Sequence, residues 1–308
     1  IPDLDAQVEC SLICTTLSAC DEDFIDHYTA LSYVWGNAKL KKIILVEGLA
    51  FDVTLNLDVA LRHMRDHERK RLIWADAICI NQSDTAERNQ QVAQMGKVYQ
   101  GARHTTIFLG EATPDSDLII DALRDEHLTH NFDKRLPWDS MYDRPWFFRV
   151  WVFQELMLSR DPWIQCGKKC VRWRQLFQAV GTNVDPFSSF WSSVVHMSEE
   201  RRRISAYTWK QLLHCHSPYQ DGTDALSALE GFDIALLSTL EARRGFGLLD
   251  PRDMLFAHRS CLGTGLPDWQ LHELLDVDYE KTCARVYTDV AKYLVTTPSF
   301  KASPLKLL

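Results

Sequence analysis

The 308-residue sequence has no apolar run long enough to cross a bilayer, no basic face, no Cys-x-x-Cys pair and no Gly-x-Gly-x-x-Gly. Each absence removes a class of protein. A membrane-spanning helix needs about 20 consecutive apolar residues, so no span is expected. The net charge is −8, and the densest basic clusters, Arg201-Arg202-Arg203 and Arg69-Lys70-Arg71, are short and flanked by acids. They read as solvated helix faces, and nucleic acid is not an expected partner because neutralising phosphates needs a basic surface. Without the glycine fingerprint, Rossmann-type dinucleotide binding is not supported. Internal repeats and low-complexity segments are also missing. No signal peptide is visible, but the sequence opens at Ile1 rather than Met and is read as a trimmed piece of a longer protein, so a targeting segment could precede it.

Nine cysteines, an odd number scattered through apolar segments of a chain this long, point to a reduced, cytoplasmic protein. Cys166 and Cys170, with His214-Cys215-His216, could be assembled into a zinc site only with poor spacing. Cys166-Gly167-Lys168-Lys169-Cys170 reads instead as a hairpin between Trp163-Ile164-Gln165 and Val171-Arg172-Trp173, so no metal is expected.

What is present is an ordinary globular composition, 46% apolar, able to bury a sizeable core as one large domain or two. The most apolar stretch, Trp146 to Ser159, carries one carboxylate in its middle, Glu155. Taken as a helix, it places Trp151 and Glu155 on one face, an indole one turn from an acid in apolar surroundings. Such an acid is either desolvated, with a raised pKa, or partnered by Arg149 or a ligand hydroxyl. A structural ion pair and a site acid both fit this pattern.

Upstream, the apolar stretch from Cys10 to Leu17 reads as an edge strand and loop. Tyr28 to Trp35, Leu72 to Ala75 and Thr105 to Leu109 read as buried strands, rich in β-branched and aromatic residues and stopped by Gly36, Asp76 and Gly110. Glu47-Gly48 between Lys42–Val46 and Ala50–Val53 signals a hairpin. Leu57, Ala60, Leu61 and Met64 follow a candidate cap at Asn56, residues 77 to 83 read as a polar loop, and Asp84-Thr85-Ala86-Glu87 has the spacing of a capping box. Strands alternating with helices favour a mostly parallel sheet whose ligands lie outside the carboxyl ends of its strands, where Tyr33 to Gly36 and Asp76 fall. A loop carboxylate capping backbone amides and a core aromatic are equally good readings of Asp76 and Trp35. Downstream, a helix begins at 175–180, further helices are expected over 199–215 and 223–240, Pro251 is read as a first helical residue after an Asp250 cap, and a last helix follows Asp278-Tyr279.

Three blocks of this sequence resemble the signature blocks of the fungal heterokaryon-incompatibility (HET) domain. They are Ala30-Leu31-Ser32-Tyr33-Val34-Trp35-Gly36; Trp74-Ala75-Asp76-Ala77-Ile78-Cys79-Ile80-Asn81-Gln82 with Glu87-Arg88, Gln91-Val92, Met95 and Tyr99; and Arg149-Val150-Trp151 with Gln154-Glu155. Ala75 stands where the family has a larger apolar residue. A weaker likeness extends through Asp250-Pro251-Arg252-Asp253 and Asp278-Tyr279. The resemblance implies a fungal, intracellular protein of non-self recognition and programmed cell death. It also implies a fold similar to TIR domains, an α/β fold with a mostly parallel sheet flanked by helices. Residues 1–180 would form that domain, with the hairpin as an insertion, and 181–308 a helical extension packed on it.

TIR enzymes that consume NAD carry a catalytic glutamate on a helix four residues after a tryptophan, an arrangement matched by Trp151 and Glu155. The resemblance therefore implies Glu155 as the catalytic residue of nicotinamide-ribose cleavage. Ser32, Tyr33, Trp35, Gly36, Asp76 and Trp151 would bind NAD or a related nucleotide as substrate, with no cofactor. It further implies self-association and an upstream recognition protein as partners. The proline-containing loop through which many TIR domains assemble has no match here, so their assembly geometry does not transfer. A non-enzymatic signalling module that triggers death by association is the competing expectation.

Overall fold

A computed structural model describes residues 4–22, 27–66, 68–125, 136–180, 236–237, 239–241, 243–262 and 272–296. Its centre is a five-stranded sheet. In chain order the strands are β1 (Glu9–Cys10), β2 (Thr29–Tyr33), β3 (Lys41–Val46), β4 (Leu49–Thr54), β5 (Ile73–Trp74), β6 (His104–Gly110), β7 (Pro162–Cys166) and β8 (Lys169–Arg172). The main sheet has the order β5-β2-β6-β7-β8. β2 pairs in parallel with both β5 and β6, β7 is parallel to β6, and β8 closes the edge as the antiparallel arm of a hairpin. The three expected strands are thus neighbours in one mostly parallel sheet. Their order is doubly wound, with the chain reversing its direction of travel across the sheet between β2 and β6.

The hairpin β3–β4 does not join this sheet. It forms a separate three-stranded sheet in which β1 pairs in parallel with β3, so the edge strand expected near Cys10 is only two residues long and belongs to the hairpin. Glu47 (φ 52°) and Gly48 (φ 75°) form its two-residue turn, the left-handed pair that matches strand twist.

Alternation along β2 and β6 divides the core. Ala30, Ile107 and Leu109 face a large helical layer, while Leu31, Tyr33 and Phe108 face the small sheet and α2 (Leu55–Met64), whose Leu57, Ala60 and Met64 are buried. The helical layer contains α4 (Thr85–Gly101), α5 (Pro114–Arg124), α6 (Asp139–Tyr142), α7 (Val152–Met157) and α8 (Trp173–Val180). α9 (Asp253–Leu262) packs against α4 and α7, and α10 (Cys283–Thr296) adds Val286 and Val290 to the same core. The remaining helices are α1 (Leu17–Glu22) and the four-residue α3 (Asp76–Cys79). Among the described residues no helix is long and apolar enough to cross a membrane.

Several local expectations are corrected. Residues 77 to 79 are helical, not loop, because α3 starts on Asp76. Helix α2 begins at Leu55, and the amide of Asn56 donates to the carbonyl of Val34 (3.0 Å) instead of capping. Asp84 does cap α4, accepting from Ala86 and Glu87, but the Glu87 side chain reaches past the cap to the Asn81 amide (2.9 Å). The run from Trp146 to Ser159 is not one helix. A 3₁₀ turn over Pro145–Phe148 ends at Arg149, whose backbone is extended, and α7 starts only at Val152. Helix α9 starts at Asp253, after a turn at 251–252, two residues later than Pro251 suggested. The helix expected over 199–215, and most of that over 223–240, lie outside the described residues.

Gly36 ends β2 with φ 75°, and a Cβ there would stand 2.6 Å from Nδ2 of Asn56. Left-handed backbone costs a non-glycine residue about 1–2 kcal/mol before any clash. Gly36→Ala should therefore lower the unfolding free energy in urea by about 2–3 kcal/mol. Combining it with Asn56→Ala should recover only the steric part, and an unchanged urea midpoint for Gly36→Ala alone would contradict the close approach.

Candidate active site

The carboxyl ends of β2 and β5 bring together residues from all three sequence blocks. Ser32, the second-last residue of β2, points into the helical layer on the same face as Ala30 and is 1% exposed. Its hydroxyl donates to Oε2 of Glu155 and accepts from the indole Nε1 of Trp146 at 2.7 Å. The chain Trp146–Ser32–Glu155 thus fixes the carboxylate of a side chain that is itself 2% exposed.

Arg149 occupies the other side of the carboxylate. Its Nη1 lies 3.9 Å from Oε1 of Glu155 and donates to the carbonyl of Tyr33, the last residue of β2. The extended backbone at Arg149 is what lets the side chain reach the carbonyl at this strand end.

Asp76 stands across the strand end, at the start of α3. One oxygen accepts from the indole Nε1 of Trp35 (2.8 Å) and the other from the Ala77 amide (2.8 Å). The buried Tyr33 hydroxyl faces this carboxylate without a hydrogen bond of good geometry. Asp76 thus accepts from a backbone amide as well as from an indole, and Trp35 packs half-buried against the core around α2. Gly36 contributes its backbone turn and its close packing on Asn56.

Burial pushes Glu155 up to about 7, against the pull of Arg149 and the Ser32 hydrogen bond and with a further push from Asp76. Asp76 is also raised, by burial first, with Arg149 and the Trp35 hydrogen bond opposing. Burial and the nearby acids push both Tyr33 and Tyr99 well above the usual phenol range, so neither is a base near neutral pH. Two carboxylates therefore share one arginine, and both resist ionisation.

Trp151 stands one turn before Glu155 at the head of α7, as expected, and the Glu155 N–H donates to its carbonyl (3.4 Å). Its indole Nε1 donates to Oδ2 of Asp253 (3.0 Å), whose Oδ1 accepts from the hydroxyl of Tyr279 (2.7 Å). The indole linked to Glu155, by way of the Ser32 hydroxyl, is that of Trp146, nine residues before it and so outside the reach of an i, i+4 argument. Arg149 was legible only as a possible partner, and its place between two acids depends on contacts that no local pattern contains. These groups close over Glu155. Cavities of about 520 and 410 Å³ lie elsewhere, one between α4 and residues 276–280, the other between the N-terminal segment and α2. Among the described residues no group of three or more His, Cys, Asp or Glu is gathered to hold a metal ion.

A carboxyl group with a folded pKa near 7 and an unfolded value near 4.5 stabilises the fold fully below about pH 4.5, and this contribution is lost as pH rises through 7. The whole change is roughly 3 kcal/mol. The stability of the wild type relative to Glu155→Gln should therefore fall between pH 5 and pH 8 in urea titrations. A difference that grows with pH would mean that Arg149 outweighs burial.

Residues 28–155 match the family described as "Heterokaryon incompatibility protein (HET)". Over 198 residues the chain is 30% identical to "Heterokaryon incompatibility protein 6, OR allele" of Neurospora crassa, a match that covers 47% of this chain and 29% of that protein. The chain thus spans less than a third of the length of this relative. No solved structure matches it. The family match opens one residue before β2 and closes on Glu155, so it contains the strand-end cluster whole: residues 28–155 are a heterokaryon incompatibility (HET) domain.

Proposed function

We propose that the chain belongs to a fungal cell-death effector of non-self recognition whose HET domain, similar in this reading to a TIR domain, cleaves the nicotinamide–ribose bond of NAD. The observation that carries the proposal is the buried acid Glu155, pushed up to about 7 and held by Ser32 and Arg149 at the carboxyl end of a doubly wound parallel sheet. In the reaction the C1′–N bond breaks, nicotinamide leaves neutral with the bonding pair, and the ribose carries the positive charge of an oxocarbenium ion. Water then adds to C1′ and releases a proton, giving ADP-ribose. Nicotinamide is a good leaving group, so one ionised carboxylate facing the cation is sufficient.

In this reading Glu155 is catalytic, and Ser32, Tyr33, Trp35, Gly36 and Asp76 form the surrounding substrate site. The half-buried Trp35, steadied by Asp76, offers the aromatic face on which nicotinamide or its ribose stacks. Substrate entry requires Arg149 to swing away from Glu155, which is otherwise sealed. The second reading, a signalling module that kills by association alone, draws on that same sealing: each carboxylate oxygen already faces a protein partner.

Purified protein incubated with NAD should release nicotinamide, and Glu155→Gln should abolish release and killing while the protein stays folded. A folded Gln variant that still kills transfers the activity to the signalling reading. Because the ionised form is the working form, turnover should rise with pH and reach half its plateau near 7. A profile flat from pH 6 to 8 would remove Glu155 from the rate-limiting step. Self-association is part of the proposal, so turnover per molecule should increase with protein concentration. Constant specific activity across a hundredfold range, roughly the span over which micromolar assembly is completed, would argue for an independent monomer.

A further inference from the structure

The HET match stops at Glu155, yet the backbone that aims Arg149 is gripped by residues almost a hundred positions later. Gly247 donates its N–H to the carbonyl of Phe148 (2.6 Å) and accepts from the N–H of Val150 (3.1 Å), a parallel bridge centred on Arg149. Arg243 completes the grip, with Nη2 donating to the carbonyls of Arg149 (2.9 Å) and Val150 (3.3 Å).

Arg243 is expensive to keep. It is 1% exposed, and among the described residues it forms no ion pair with a carboxylate and its Nε and Nη1 donate to no acceptor. The rings of Phe153 and Phe246 cover its guanidinium at 5.0 and 4.0 Å, and burial lowers its pKa to about 9. An apolar side chain of the same volume would fill this space without desolvating a charge. The two carbonyl bonds are the one thing that such a side chain could not supply, and they fall at the break between the 3₁₀ turn and α7.

We infer that Arg243, together with Gly247, is a positioning residue that locks the extended backbone at Arg149, so that the Arg149 guanidinium stands between Glu155 and Asp76. The inference rests on the reading of Glu155 as the acid of the site. Its test reads geometry rather than turnover, so a failure of NAD cleavage leaves it standing.

The test is a titration of the Glu155 carboxyl by its carbon-13 shift in the full chain, assigned with Glu155→Gln. The titratable groups that face Glu155 are Arg149 from the joint, Asp76 after β5, Tyr33 on β2 and Tyr99 on α4. Only Arg149 is cationic. Arg149→Met should therefore raise the Glu155 pKa by about one unit, a tenfold gain in proton affinity. In an Arg243→Met background the same substitution should shift it by less than about a third of that, because an unaimed arginine no longer contributes. Arg243→Lys, which keeps one donor, should restore part of the coupling. Equal shifts in the two backgrounds would overturn the inference and leave Arg243 as packing alone. If Arg243→Met does not fold, Gly247→Ala presses on the same joint and keeps the buried cation: its Cβ would stand 3.2 Å from the carbonyl oxygen of Phe148. Reduced coupling in that variant supports the assignment, and full coupling refutes it.

Discussion

The constraint on which this fold turns is the placing of a carboxylate beneath an apolar layer. An ionised, unpartnered acid in such a position would be several kilocalories per mole unfavourable. Glu155 is offset by a hydroxyl and a guanidinium, and each imposes a demand on the surrounding chain. For Ser32 to reach the acid, β2 must present residue 32 to the helical layer; a one-residue slip would present Leu31 or Tyr33 there and expel Ala30 from its core. For Arg149 to reach the end of β2, the chain must leave its helical path just before α7. The register of the central strand and the break in the most apolar segment are thus two consequences of one buried charge.

The doubly wound order then brings a second acid to the same place. β5 lies beside β2 in parallel, so Asp76, two residues past its end, arrives at the strand end already occupied by the Tyr33 carbonyl and Arg149. Two carboxylates with one arginine between them cannot both be comfortably ionised in partial burial, which is why both resist losing their protons. Trp35 and the Ala77 amide temper Asp76, as Ser32 tempers Glu155. Sharing the cation links the α2 face of the sheet to the α7 face, so a change at either acid is felt by the other.

Much of this architecture was legible in the sequence because it follows from short-range periodicity. β2, β5 and β6 appear as β-branched and aromatic runs, their parallel order follows from the helices between them, and a lone acid in the run from Trp146 to Ser159 has to be buried. The break at Arg149 was illegible for a physical reason: the run is apolar on every side, so a helical period can be laid over it whether or not the backbone follows. The indole that bonds the acid's partner was illegible too, because it lies nine residues before Glu155. Trp151 is four residues from Glu155 along the chain, but the hydrogen bond to the acid's partner comes from Trp146, and Trp151 turns to Asp253. Glu87 shows the same limit on a smaller scale, since its spacing announced a cap while the bond it makes lies three residues further back.

The downstream residues that resemble the family more weakly also find a role. Asp253 receives Trp151 and Tyr279, the Tyr279 amide donates to Asn89 on α4, and the guanidiniums of Arg88 and Arg252 lie over the Tyr279 ring at 4.1 and 5.2 Å. Asp250 and Arg252 tie the turn before α9 to the carbonyls of Tyr279 and Lys281. Side chains that in sequence look like an exposed polar surface are thus spent on one another, joining α4, the start of α7 and the start of α9 at a single corner. Arg149 hangs from the same short segment, two residues before Trp151. A ligand reaching Glu155 must exchange some of these bonds for its own, and the joint at 148–151 carries both backbone and side-chain restraints from the downstream chain. Whatever moves the downstream chain therefore acts on the cover of the acid through this joint, and does so without touching the acid itself.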